Sequence, residues 1–224
     1  MEKAVFLLGL LLGSMTTFCD KAPQGEKGNS GEVRALPAPQ RAGKITLEEA
    51  IARRRSHREF KKQPLSDQEL SQLLWATQGI THPDGYRAAP SAGALYPLEL
   101  YVATQEGLFH YQPHSHRLIR RQARDLRAEL ARAALDQSAV SEAPAVFVIV
   151  AVYERTARKY GPARTPRYVH LEAGHAAQNL LLEAVALGLG GVPVGAFHDE
   201  RIQSVLGLPG DHKPLYLIPV GHPR

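Results

Sequence analysis

Residues 169–189 read Val-His-Leu-Glu-Ala-Gly-His-Ala-Ala-Gln-Asn-Leu-Leu-Leu-Glu-Ala-Val-Ala-Leu-Gly-Leu. Leu171, Ala176, Leu180, Leu181, Val185 and Leu189 recur at helical spacing, while Ala173, Gly174, Ala176 and Ala177 keep its first half slim. A helix apolar on most sides must be buried, in the middle of a fold or of a dimer. Just upstream, Ala145–Val152 is an unbroken apolar run rich in β-branched residues, as expected of a central strand covered on both faces. The remaining elements do not alternate as regular βαβ units. Leu98–Thr104 and Leu108–Tyr111 read as a hairpin about Gln105-Glu106-Gly107, and Leu215–Val220 as a closing strand. Pro193–Phe197 reads as a short extended segment. Arg124–Gln137 and Asp199–Leu206 read as helices, the second capped by Asp199. The class is therefore α+β, with a central mixed sheet flanked by helices.

Outward from this core, Thr46-Leu47-Glu48-Glu49 and Ser66-Asp67-Gln68-Glu69 each carry the capping-box signature of a helix start. The folded domain is expected over residues 44–224. Residues 20–43 hold Pro23, Gly25, Gly28, Gly31, Pro37, Pro39 and Gly43 with few large apolar groups, and read as a flexible linker. Residues 1–19 join a charged start to the apolar run Ala4–Leu12, too short for a comfortable bilayer span. They read as a signal peptide or membrane anchor, with Cys19 placed where a lipoprotein would carry its lipid, so the domain is expected to be exported or membrane-attached, in the periplasm or cell envelope. As the one cysteine in 224 residues, Cys19 excludes an internal disulfide and a cysteine-rich metal site. His170 and His175 are five apart, off the i, i+4 spacing of a helical zinc pair, and no metal is expected. The net charge of +5 lacks the aromatic interleaving of single-strand binders, so no nucleic acid is expected as a partner. Neither a nucleophile elbow nor a P-loop occurs.

Three segments carry chemistry. Arg54-Arg55-Ser56-His57-Arg58 gathers three guanidinium forks and a hydroxyl, a donor set matched to phosphate oxygens, although a solvated basic helix end would look the same. Pro90-Ser91-Ala92-Gly93-Ala94-Leu95-Tyr96-Pro97 is a small-residue loop that a ligand can approach closely. Gly188-Leu189-Gly190-Gly191-Val192-Pro193-Val194-Gly195-Ala196-Phe197 follows a helix rather than a strand, so it is not a dinucleotide fingerprint.

Together with Leu171–Leu180, these segments resemble the nitroreductase family, and within it the SagB/ThcOx-type dehydrogenases, over residues 45–223. The resemblance implies a homodimer holding FMN at the subunit interface. Arg54, Arg55, Ser56 and Arg58 would hold the phosphate and ribityl chain, with Pro90, Ser91 and Gly93 on the loop from the partner subunit. Gly195 and Ala196 would bring backbone amides to the flavin N5 edge. It further implies a catalytic Lys159-Tyr160 pair, a ping-pong hydride transfer, a small-molecule or peptide substrate, and NAD(P)H as an electron donor. A non-catalytic flavin- or ligand-binding lipoprotein of the same fold is the alternative.

Overall fold

The computed structural model describes residues 31–224. The expected signal or anchor at 1–19, with Cys19, lies outside the described residues. Among them, no helix is long and apolar enough to cross a membrane.

The core is a sheet of seven strands: β1 (Val33–Ala35), β2 (Leu98–Thr104), β3 (Gly107–Gln112), β4 (Arg117–Gln122), β5 (Ala145–Val152), β6 (Gly190–Gly191) and β7 (His212–Gly221). Their spatial order is β1-β4-β3-β2-β5-β7-β6. Every paired strand is antiparallel, which corrects the expectation of a mixed sheet. Among the described residues, only an isolated bridge from Ser56 to Gly191 runs parallel. For β2, β3 and β4 the physical reason is the connectivity: they are joined by tight turns, and such turns can return a chain only antiparallel.

β5 is buried at all eight positions. Its Phe147 and Ile149 face one apolar cluster with Leu73 and Leu180, while Val146, Val148 and Val150 face a second with Leu130 and Ile202. Covering both faces requires helices on each side. α1 (Leu47–Arg53), α2 (Asp67–Gln78) and α6 (Thr165–Ala186) pack together on one face; α3 (Arg127–Ala133), α4 (Ser138–Glu142) and α7 (Asp199–Leu206) cover the other. α5 (Tyr153–Tyr160) leaves β5 directly and packs on α6.

α2 begins with the full capping box, Ser66 Oγ accepting from Glu69 N–H and Glu69 reaching back to Ser66 N–H. At α1, Thr46 Oγ1 accepts from Glu49 N–H at 3.1 Å. Three expectations change. The helix expected over 124–137 is confined to α3, because Leu135 and Asp136 adopt φ of 58° and 56° and stop it, and α4 starts only beyond the expected end, at Ser138. Asp199 is not the cap of α7; His198 occupies that position and makes no side-chain cap bond. The linker expected over 20–43 is packed from Gly31 onward. There β1 pairs with β4, Ser71 Oγ donates to Pro37 O at 2.6 Å, and Gln40 N–H donates to Gln72 Oε1 at 2.8 Å. Backbone hydrogen bonds at a sheet edge can order a segment that has little apolar side chain to bury.

Candidate active site

The nominated residues fall into two assemblies on different elements. The first grows from the end of α1. Arg54 caps that helix, and the chain then runs beside β6 and the chain end. His57 N–H donates to Gly191 O at 3.1 Å, Lys61 N–H to His222 O at 2.8 Å, and Phe60, fully buried, pairs with Pro223. Ser56 thus sits against Gly191. A Cβ on Gly190 would lie 2.7 Å from His57 Cγ, so the close approach of the two segments requires glycine there.

Beyond Gly191 the chain stays on β7, with Val194 and Leu217 exchanging backbone bonds of 2.8 and 3.0 Å, and then emerges at exposed Gly195 and Ala196. Four extended residues span roughly 13 Å, so Ser56 and Gly195 mark two ends of one track. Arg54 is half-buried and Arg58 exposed, and among the described residues neither guanidinium pairs with a carboxylate. Arg55 is placed differently: its Nη1 donates to Ala52 O and Arg54 O at 3.0 and 2.7 Å, closing the end of its own helix. Arg224 is held by its backbone N–H to Glu59 O and lines a separate cavity of about 530 Å³ with Lys62, Arg34 and Arg127. That cavity contains none of the nominated residues.

The second assembly joins the Ser91 loop to α5. Ser91 Oγ accepts from Tyr96 N–H at 2.9 Å, which closes the loop. Gly93, Ala94 and Tyr96 all have left-handed backbone, φ 62°, 54° and 47°. A Cβ on Gly93 would lie 2.9 Å from Lys159 Nζ and 3.0 Å from Tyr160 Oη, so the loop rests directly on the nominated catalytic pair. Lys159 is exposed and Tyr160 half-buried, its ring 4.8 Å from that of Tyr168. Pro90 is exposed at the start of the loop.

Four charged residues that sequence reasoning left unassigned lie around this loop. Arg155, one turn before Lys159, donates to Tyr96 O at 3.0 Å and forms an ion pair with Glu99. Glu99 also bonds His110 Nε2 at 2.6 Å, and the His110 ring stacks on Tyr101 at 4.4 Å. Burial would raise the Glu99 carboxyl, but the bonds and charges of His110 and Arg155 prevail and hold it at about 2. Arg87 lies over the Tyr96 ring at 4.6 Å and donates to Gln78 Oε1 at 2.9 Å. The fourth is Glu172 in α6, only 2% exposed, whose carboxyl is pushed up to about 7 by burial against the opposing pull of Ser91 and Arg87. The acidic partner of His110 is eleven residues distant and is delivered by the β2–β3 pairing. A glutamate amid Ala173, Ala176 and Ala177 was the one signal available for Glu172.

The family model described as the nitroreductase family matches residues 51–222. The chain belongs to the nitroreductase family. It is 46% identical over 183 residues to a protein of Methanocaldococcus jannaschii named as a nitroreductase, covering 79% of this chain and 91% of that one. A crystal structure described as a nitroreductase, from Ralstonia eutropha, superposes with a TM-score of 0.79 at 32% identity, covering 88% of this chain and 92% of the other. The NADPH:FMN oxidoreductase of Vibrio harveyi, solved with NAD+, superposes with a TM-score of 0.61 at 26% identity, over 79% and 68% of the two chains. The α+β nitroreductase fold, with its central antiparallel sheet flanked by helices, is thereby established, and flavin oxidoreductases stand among the relatives.

Proposed function

We propose that this nitroreductase-family protein is an FMN-dependent oxidoreductase of the SagB-type dehydrogenase kind. The observation that carries the reading is the track from Arg54, Ser56 and Arg58, along Gly190–Gly191, to the exposed amides of Gly195 and Ala196. Its donor set suits the cofactor: two guanidinium groups without carboxylate partners among the described residues and a hydroxyl at one end match a phosphate. At the other end, exposed Gly195 and Ala196 carry little side chain, and with the Ala196 carbonyl turned to Gln137 Nε2 at 3.0 Å they support approach by a flat ring. Arg54, Ser56 and Arg58 would hold the phosphate and ribityl end and Gly195 and Ala196 the ring edge. Arg55 serves as a helix closure rather than a direct donor. When bound, FMN supplies the hydride chemistry, and the protein supplies position and electrostatics.

Lys159 and Tyr160, resting against Gly93, are the residues placed to hold or move a proton of the substrate. A reduced donor such as NAD(P)H and an oxidised acceptor would visit the same site in turn, giving a ping-pong pattern. Exposed Leu47, Ile51 and Leu171 on α1 and α6 support a homodimer in which the Pro90–Gly93 loop of one copy faces the arginine track of the other. Residues 1–19 would attach this dimer to the cell envelope.

Flavin-loaded protein is expected to reduce a nitroaromatic or quinone with NAD(P)H, giving parallel double-reciprocal lines, and Lys159→Ala is expected to lower turnover without releasing the flavin. Failure of the loaded wild-type protein to turn over any such pair would leave the enzymatic reading without support. Unchanged turnover in Lys159→Ala would remove Lys159 from the mechanism.

A further inference from the structure

Lys159 and Tyr160 occupy the last turn of α5, a helix of eight residues with no side-chain cap at its start. A helix this short is marginal on its own and takes its position from what it is fastened to. Arg155, one turn before Lys159, supplies a fastening: its Nη1 donates to Tyr96 O at 3.0 Å and its Nη2 pairs with Glu99 Oε1. Glu99 is itself fixed from the other side. Gln112 Nε2 donates to His110 Nδ1 at 3.1 Å, so the neutral ring carries its hydrogen on Nε2 and gives it to Glu99 Oε2 at 2.6 Å. Stacking on Tyr101 at 4.4 Å holds the plane of that ring.

One face of α5 meets the 93–96 turn at both of its ends. Residues four apart on a helix are neighbours on its surface. Arg155 takes the carbonyl of Tyr96, and Lys159 places Nζ 2.9 Å from where a Gly93 Cβ would be. Between these points Ala94 and Tyr96 hold φ of 54° and 47° without being glycine, a backbone that persists only where its surroundings impose it. A planar guanidinium fork suits the task, because one rigid group can span a carbonyl and a carboxylate, which an ammonium cannot. The pair with Glu99 is also sheltered: the two side chains are 37% and 15% exposed, so water competes for them less than at a fully solvated ion pair.

We infer that Arg155 is a positioning residue: clamped by Glu99, it ties the Tyr96 carbonyl to α5 and thereby sets Lys159 and Tyr160 against the 93–96 turn. Placement passes from His110 on β3 to Glu99 on β2 and then to Arg155 on α5. The Lys159-Tyr160 pair thus inherits its position from the sheet rather than from its own short helix. The consequence for turnover rests on the proposed proton-handling role of Lys159; the tie between turn and helix does not.

The test uses Arg155→Met, which keeps an apolar stem and removes the fork. Hydrogen exchange in flavin-free protein reads the tie at two amides: Tyr96 N–H, bonded to Ser91 Oγ at 2.9 Å, and Gly161 N–H, bonded to Ala157 O at 2.8 Å at the end of α5. Arg155→Met is expected to speed both about tenfold relative to the amides of β5, as loss of a charge-assisted hydrogen bond implies. Lys159→Ala should leave both within about threefold of wild type, as an exposed substitution does. In flavin-saturated protein, Arg155→Met should lower kcat about tenfold or more with KM within about threefold. The Arg155→Met/Lys159→Ala double variant should turn over no slower than Lys159→Ala alone, since a residue acting through another adds nothing once that other is gone. Exchange at Tyr96 and Gly161 that merely follows β5, or turnover losses that multiply, would overturn the inference. If Arg155→Met does not fold, Arg155→Gln, too short to span both acceptors, carries the same comparisons. Linked exchange in a protein whose Lys159→Ala variant turns over normally would sink the proton-handling reading and leave the tie intact. Unlinked exchange in an enzyme that needs Lys159 would do the reverse.

Discussion

Replacing Gly93 with alanine separates the cost of a backbone conformation from the cost of a crowded side chain. Gly93 has φ 62° and ψ 18°, squarely left-handed. An L-residue in that region costs roughly 1–2 kcal/mol. The new methyl would also meet Lys159 Nζ at 2.9 Å, Tyr160 Oη at 3.0 Å and Lys159 Cδ at 3.2 Å. The lysine contacts lie at the free end of an exposed, flexible chain, which can swing aside, so steric repulsion adds little to the stability loss. For a domain of this size each kcal/mol lowers the melting temperature by about 2–4 °C, giving a fall of about 2–8 °C. Calorimetry or thermal circular dichroism reads this directly. Under the proposed role of Lys159 and Tyr160 in handling a proton, function should suffer more than stability, because displacing such a group by about 1 Å can cost on the order of 100-fold in turnover. Gly195→Ala is the control: its Cβ would find nothing nearer than Tyr216 Cε1 at 4.0 Å, and Gly195 is not at positive φ. Its melting temperature should move by less than about 2 °C. A Gly93→Ala protein as stable as wild type, or a Gly195→Ala protein destabilised as much, would refute the loop geometry.

Two further outcomes follow from the packing around the site. Because the Glu99 carboxyl falls from 4.5 to about 2, it stabilises the fold fully above its unfolded pKa and loses that contribution as pH drops toward 2. Urea unfolding should therefore show Glu99→Gln weaker than wild type by up to about 3 kcal/mol at pH 7, with the gap closing by pH 2; a gap independent of pH would contradict the assignment. Gly190→Ala would push a methyl to within 2.7–2.8 Å of His57 Cγ and Cβ, atoms too near the backbone to move alone, so residues 56–58 must shift. Its FMN affinity should drop by about tenfold or more, and His57→Gly in the same protein should restore part of it, whereas no recovery would show that the contact is not the cause.

Legibility in the sequence tracked how local each signal was. The β5 run and the α6 stripe announce themselves, since an unbroken apolar run or a 3.6-residue period is set by burial alone. So does the box at Ser66, which is satisfied within four residues. What escaped depends on distant partners. β1 is three residues long with an exposed first position, and it exists because β4 offers an open edge. β2, β3 and β4 are antiparallel because short turns join them, a matter of turn length rather than of the strands themselves. Leu135 and Asp136 break a helical pattern without any glycine or proline to mark the break.

The candidate site divides in the same way. Arg54, Ser56, Arg58, Ser91 and Gly93 were visible as donors and small residues, and their order along the chain carried the resemblance to the family. Arg55 was not separable from its neighbours until its guanidinium was seen to close α1. The supporting charges, Glu99 with His110 and Arg155, and Glu172 beneath Ser91, became evident only when β2–β3 pairing and α6 packing brought them together.

The central claim, a flavin phosphate gripped by the arginine track, is tested most directly by equilibrium titration of purified protein with FMN, followed by absorbance and flavin fluorescence. The account predicts saturable binding of one FMN per chain, weakened about 10- to 150-fold in each of Arg54→Ala and Arg58→Ala, as expected for loss of a charge-assisted hydrogen bond. A wild-type protein that does not bind FMN, or binding indifferent to both arginines, would contradict it.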